Sequence, residues 1–287
     1  MKVAVISDIH ANLAALERVF EDISLWRPDA VVVNGDTVNR GPRPLACWQF
    51  IQHQEAEANW HLLRGNHEDY LLKFADEGGM ELAADERQQH AFWTYRKLNG
   101  NMKSIRPLPS AHSIYAPDGS ECLVTHASVH NNRDGIEATA TDAEIRAQIG
   151  TAVIAGTASP SQPPAVFCTG HTHKPFVRKI DDTLVVNSGA VGFPFDRDWR
   201  ASYARLTWQK EGWSGEIKRL RYDRARAERD FEESGFLAEG GPMAALMLQE
   251  LRQSHGCVQR WNRKYGQAVK DGQLSLAESV AAYLERN

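Results

Sequence analysis

The chain has 287 residues, 42% hydrophobic and 24% charged, with a formal net charge of −4. That length suits one large core or a core domain with a smaller appendage, and the acidic balance argues against broad electrostatic attraction to nucleic acid. No apolar stretch reaches bilayer-spanning length.

The opening residues, Met1-Lys2-Val3-Ala4-Val5-Ile6-Ser7-Asp8, turn polar too early for a secretory signal and read instead as a buried strand. Asn12 can cap a helix that carries Leu13, Leu16, Val19, Phe20 and Ile23 on its apolar side and ends at Pro28. Ala30-Val31-Val32-Val33 is a second strand closing at Gly35-Asp36, and a helix follows over about 44–54. His61-Leu62-Leu63 is a third, short strand closing at Gly65-Asn66-His67. Strand runs without alternation, joined by helices, indicate a sheet covered on both faces.

Residues from about 68 to 99 read as helical with a break at Gly78-Gly79. Their aromatics, Tyr70, Phe74, Phe92, Trp93 and Tyr95, suit core or cap packing, the alternative being that some line a substrate pocket. From about residue 111 the rhythm changes to strands with short connections, at 121–125, 165–169, 183–187, 202–208 and 215–220. Between 131 and 164 lie one helix, about 141–149, and a loop of Ser, Pro and Gly. The last 65 or so residues return to helix, with apolar runs at 243–248 and about 274–284 and no site chemistry. Cys47, Cys122, Cys168 and Cys257 form no CxxC pair, so reduced thiols and a cytoplasmic location are expected.

Polar groups fall where strands end: Asp8-Ile9-His10, Gly35-Asp36, Gly65-Asn66-His67, Thr125-His126 and Gly170-His171-Thr172-His173. Strand-end loops of an open parallel sheet share one crevice, so these groups can converge. Asp8 and His10 lie two apart, as do His171 and His173, and an extended backbone would send each pair to one side. Carboxylate, amide and imidazole donors together suit Mn²⁺, Fe²⁺/Fe³⁺ or Zn²⁺ better than Ca²⁺ or Mg²⁺. The absence of nearby cysteine pairs argues against a structural zinc site of the finger type.

The series Asp8-Ile9-His10, Gly35-Asp36-Thr37-Val38-Asn39-Arg40-Gly41, Gly65-Asn66-His67-Glu68, His126 and Gly170-His171-Thr172-His173 resembles the calcineurin-like metallophosphoesterase family over about residues 1–210. The resemblance implies an α/β fold, a four-layer α/β/β/α sandwich of two facing mixed sheets, over 1–221, with a helical C-terminal extension over 222–287. It also implies two transition-metal ions (Mn, Fe or Zn): one held by Asp8, His10, Asp36 and His173, the other by Asp36, Asn66, His126 and His171, with Asp36 as the bridge. In the family a bridging water activated by the metals attacks phosphorus in line, and the histidine matching His67 contacts substrate and protonates the leaving oxygen.

The Arg40 block resembles the branch that holds the Ser/Thr protein phosphatases and the symmetrical dinucleoside tetraphosphatases, where the arginine grips substrate phosphate. An outward salt bridge is the alternative for Arg40. Asn39 departs from the protein-phosphatase pattern, in which an aspartate supports the catalytic histidine, and Thr125-His126-Ala127-Ser128 lacks that branch's His-Gly-Gly. The expected function is therefore metal-dependent hydrolysis of a small-molecule phosphate ester. The alternatives are a protein phosphatase, a symmetrical dinucleoside polyphosphate hydrolase, or a metal-binding interaction scaffold without catalysis.

Asn12 can cap its helix, contact phosphate, or do both. His130 reads as a solvated loop residue, with a pocket role as the alternative, and Arg133 either binds a second substrate phosphate or stands on the surface. His53, His61, His90, His112 and His255 read as structural. The small residues of Asn187-Ser188-Gly189-Ala190-Val191-Gly192 would let backbone pass close to the site.

Overall fold

The computed structural model describes residues 1–76, 84–150 and 163–286. Three short apolar runs form the first strands, β1 (Lys2–Ile6), β2 (Ala30–Asn34) and β3 (Trp60–Leu63), paired parallel. Their side chains alternate between two interiors, as a pleated strand requires. Val3, Val5, Val32 and Leu63 enter one apolar cluster, while Ala4, Ile6, Val31, Val33 and Leu62 enter another on the opposite face. Both interiors are apolar, which is why these runs show no polar alternation in sequence.

The second sheet is built from β4 (Ala111–Tyr115), β5 (Glu121–Thr125), β6 (Val166–Thr169), β7 (Phe176–Ile180) and β8 (Thr183–Asn187), in the order β4-β5-β6-β8-β7. Its inner strands β5, β6 and β8 are parallel and its edge strands antiparallel. The chain then returns to the first sheet as β9 (Ala201–Gln209) and β10 (Gly212–Leu220), giving the order β10-β9-β1-β2-β3. Cys122, Val124, Val166, Cys168 and Val186 meet Val3, Val5, Val32, Ala204 and Leu206 between the two sheets. All four cysteines are buried free thiols.

Helices complete the four-layer α/β/β/α sandwich. On the first sheet lie α1 (Leu13–Trp26), capped by Asn12, α2 (Pro44–Glu57), which starts on a proline, α3 (Asn66–Asp76) and α4 (Gln89–Lys97). On the second, Ile145 and Ile149 of α5 (Asp142–Ile149) pack against Leu123, Phe167 and Val185. The C-terminal extension comprises α6 (Arg224–Glu233), α7 (Phe236–Glu239), α8 (Pro242–Gln253), α9 (Cys257–Lys270) and α10 (Leu276–Leu284). Its Phe231, Phe236, Leu246, Trp261 and Tyr283 belong to the same cluster as Ile6 and Tyr203 of the first sheet. Among the described residues, no helix is long and apolar enough to cross a membrane.

Two strands escape the sequence reading. β4 and β7 are edge strands of mixed polarity, Ala-His-Ser-Ile-Tyr and Phe-Val-Arg-Lys-Ile, and only partly buried. Half-exposed edges give a weak apolar signal. The break expected at Gly78-Gly79 and much of the Ser/Pro/Gly loop lie outside the described residues.

Trp261 tests whether the extension is one with the core. It is buried, and its indole N–H donates to Ser279 Oγ at 3.1 Å. Trp261→Ala is expected to cost about 3–5 kcal/mol, lost within a single urea transition. A separate early transition would instead show that the extension unfolds alone.

Candidate metal centre

The loops leaving β1, β2, β3, β5 and β6 meet at one place, and much of their backbone is left-handed there. Asp8 (φ 55°), His10 (46°), Asp36 (52°), His171 (63°) and His173 (59°) all have positive φ, as do Ala11, Asn39 and Arg40. This corrects the expectation of extended backbone at Asp8/His10 and His171/His173: tight left-handed turns aim these side chains. Such conformations cost of order 1–3 kcal/mol each and persist only where the surroundings hold them. Here His10 N–H donates to Asp36 O at 2.9 Å, Ala11 N–H to Thr37 O at 2.9 Å, and Gly192 N–H to Asp8 O at 3.0 Å. Close approach demands glycine at several positions, among them Gly65, where a Cβ would fall on the Asp36 carboxylate, and Gly192, where it would fall on the Ile9 carbonyl.

The donors converge around two carboxylates. Asp8 Oδ1 lies 3.2 Å from His173 Nε2 and 3.7 Å from His10 Nε2, and those two nitrogens are 3.2 Å apart. Asp36 Oδ2 lies 3.4 Å from His126 Nε2, 3.7 Å from His10 Nε2 and 3.9 Å from His67 Nε2. Asn66 Oδ1 is 3.1 Å from His126 Nε2, and the His171 ring meets that of His126 edge-on. Three overlapping groups result: Asp8 with His10 and His173, His10 with Asp36 and His67, and Asp36 with His126 and His171.

These residues fit metal ions. Asp8 Oδ2 accepts from Ser7 Oγ and from the His171 N–H, yet its buried Oδ1 takes no hydrogen bond. An orphaned buried acceptor costs roughly 1–3 kcal/mol, which a cation would recover. Carbonyls fix two of the rings from behind: His126 Nδ1 lies 2.8 Å from Asn34 O and His173 Nδ1 2.5 Å from Phe193 O. Nδ1–H therefore faces backbone in both, and Nε2 is presented to the site.

Electrostatics divides the imidazoles. Burial, aided by neighbouring rings, holds His10 well below its ordinary range and His171 down to about 4. Burial also opposes charge on His126, but the Asp36 carboxylate overrides it and lifts the ring to about 10. Asp36 in turn is held well below the usual carboxylate range, since His126 and His67 outweigh the effect of burial.

His67 is governed by Asn39. The Asn39 amide is oriented by its partners, since Arg40 N–H donates to Oδ1 at 2.8 Å. Its NH₂ therefore points at His67 Nδ1, 2.9 Å away, and donates to it. The ring must keep its proton on Nε2, facing Asp36. Burial brings its pKa to about 3, so it is neutral near pH 7. Tyr70 packs edge-on against this ring, whereas Phe74 and Trp93 are core residues.

Arg40 stands beside His10 and His67, but its Nη2 is paired with buried Glu250 of α8. Its salt bridge is thus inward, to the C-terminal extension, and its Nε is unpartnered. Asn12 is fully occupied within the fold: Oδ1 accepts from Ala15 N–H, and the amide donates to Gly192 O and Tyr222 Oη. His130 is exposed and bonds Ala147 O, while the Arg133 guanidinium lies 5.2 Å over the Tyr70 ring. His61 stacks on His112, away from the donors.

Two residues of consequence went unread in the sequence. Glu68 accepts backbone N–H groups from Gly65, Asp36, Thr37 and Val38; it closes the Gly65-Asn66-His67-Glu68 block, the one available signal. Glu250 lies in an apolar helical run, where no local pattern marks it.

Fold and donor clusters are those of the metal-dependent phosphoesterase class. Residues 1–211 match the calcineurin-like phosphoesterase superfamily domain, and the chain belongs to that superfamily. An uncharacterised protein of Methanocaldococcus jannaschii is 25% identical over 250 residues, covering 78% of this chain and 89% of that one. Among solved structures, a metallophosphoesterase from Sphaerobacter thermophilus aligns with a TM-score of 0.64 at 23% identity, over 88% of this chain and 100% of that one. A hypothetical protein from Pyrococcus horikoshii aligns at 0.71 and 19% identity, over 89% and 98%. These two likenesses bear on the fold alone.

Two outcomes follow from the site. Asn39→Asp replaces a donor by an acceptor, so His67 Nδ1 should gain a proton and the ring should titrate above its present value of about 3. Ring ¹⁵N shifts of the metal-free protein read both, and an unprotonated Nδ1 in the variant would refute the amide's control. A divalent cation at His126 Nε2 must displace a proton held up to about pH 10. Mn²⁺ binding should therefore release protons at pH 7 and tighten as pH rises. Calorimetry in two buffers of different ionisation enthalpy tests this, and equal heats would count against it.

Proposed function

We propose that this protein is a metal-dependent hydrolase of small-molecule phosphate esters. The observation that carries the reading is the Asp36 carboxylate, whose Oδ2 faces His10 on one side and His126 on the other, a placement suited to sharing between two ions. Asp8, His10, Asp36 and His173 would hold one ion, and Asp36, Asn66, His126 and His171 the other, with Mn, Fe or Zn matching the donor set. When bound, such a pair lowers the proton affinity of water and neutralises charge on phosphoryl oxygens.

The remaining work falls to the chain's own groups. On this reading His67 presents Nε2–H to the space beside Asp36 and hydrogen-bonds the leaving oxygen as that atom gains charge, the proton that oxygen finally takes coming from water. Arg40, braced by Glu250, sets a guanidinium beside His10 and His67 for contact with the substrate phosphate. Asn39 in place of an aspartate, and Ala127-Ser128 after His126, count against the protein-phosphatase branch.

The test is hydrolysis of a chromogenic phosphomonoester and the matching diester by metal-stripped protein reloaded with Mn²⁺. Turnover should depend on metal and vanish in Asp36→Asn. His67→Gln should keep stoichiometric Mn²⁺ yet lose roughly 10²- to 10⁴-fold in rate. No turnover of either ester, together with no stoichiometric binding of Mn²⁺, Fe or Zn²⁺, would overturn the proposal.

A further inference from the structure

A second cavity of about 330 Å³ adjoins the metal centre through His171, which lines the one and belongs to the other. Four cationic side chains line it: Arg133 from the loop after β5, Lys174 from the loop after β6, and Arg260 and Arg263 from α9. Glu137 is its one carboxylate and is matched by Lys174, 3.2 Å away.

The three arginines have no ion-pair partner among the described residues. Arg260 reaches only the His255 ring at 3.5 Å, Arg133 lies over Tyr70, and nothing engages Arg263. Other arginines are answered, among them Arg106 by Asp76, Arg146 by Asp181, Arg200 by Asp198 and Arg205 by Asp22. Arg27, Arg197, Arg221, Arg229 and Arg286 also lack an ion pair among the described residues, but none of them lines this cavity. In a chain of net charge −4, with acidic groups in excess, three unanswered guanidinium groups around one cavity make a local field for an anion. Helix geometry aims two of them. Arg260 and Arg263 are three apart and share a face, while Trp261 between them is buried in the core and fixes the rotation of α9.

We infer that this cavity binds a second phosphate group of the substrate, so that the molecule hydrolysed carries one phosphate at the metal centre and another beyond His171. This rests on the hydrolase reading above and narrows it to substrates with two or more phosphates. Guanidinium forks suit phosphate oxygens, and Arg133 with the α9 pair can surround the group from two sides. His255, taken as structural from sequence, lines the same cavity.

The test is calorimetric titration of the full chain loaded with Mn²⁺, in buffer holding excess Mn²⁺, with inorganic tripolyphosphate and, separately, with orthophosphate. Wild type should bind tripolyphosphate at least about tenfold more tightly, and Arg260→Gln/Arg263→Gln should lose that preference. Both arginines are exposed, so the variant should fold, which an unchanged Tm would confirm. Equal affinity of wild type for the two anions, or a preference that survives in the variant, would overturn the inference. The chromogenic ester assay with metal titration separates the two readings: wild type that prefers tripolyphosphate but neither hydrolyses an ester nor binds Mn²⁺, Fe or Zn²⁺ stoichiometrically would overturn the hydrolase and leave the anion site standing.

Discussion

Glu68 accepts the N–H groups of Gly65, Asp36, Thr37 and Val38 at 2.8–3.2 Å, and through them one buried carboxylate fastens the loop after β2 to the loop after β3. Asp36 and Asn66, the donors those loops carry, are aimed by this clamp. Burial and the nearby Asp36 push the Glu68 carboxyl up to about 7, while the backbone donors favour its charged form. Hydrogen bonds to a charged group contribute about 1.5–3 kcal/mol each, enough to offset left-handed backbone at Asp36, Asn39 and Arg40. The placement of these candidate donors is therefore set by a residue outside the donor clusters.

The C-terminal extension reaches the same centre from the other side. Glu250 is buried, pairs with Arg40 and accepts Val258 N–H at 2.9 Å, so it joins the loop after β2, α8 and the start of α9. The turn that fixes Arg40 thus also sets where α9 begins, and Trp261 sets how α9 is rotated. A helical appendage without site chemistry in its sequence becomes, through packing, a wall of the site.

Much of this was legible in the chain. The runs that became β1, β2, β3, β5, β6 and β8 are buried on both faces, and doubly buried strands must be apolar throughout; hence their polar ends stood out. What stayed hidden is of three physical kinds. The edge strands β4 and β7 are partly wetted and lose the pattern. The clustering of Asp8 with His10 was expected on the wrong ground, because left-handed backbone is imposed by tertiary hydrogen bonds that sequence spacing does not encode. Glu250 acquires its role from Arg40, 210 residues away, and the α9 arginines share a cavity with His171 and Lys174, some 85 or more residues away, which no local window contains.

Asn39 shows how a single atom exchange redirects the chemistry of a site. A carboxylate at that position would accept a proton-bearing Nδ1 and support positive charge on the ring. The amide donates to Nδ1 instead, and its orientation is locked by Arg40 N–H. Cations held at Asp36 would in any case repel an imidazolium 3.9 Å from that carboxylate. With its proton confined to Nε2, His67 is a hydrogen-bond donor without net charge, compatible with nearby cations and directed into the space where a leaving oxygen would develop charge. On the proposed hydrolase reading, its contribution would grow with that charge, strengthening in the transition state and not in the ground state, which is the condition for a group to raise the rate.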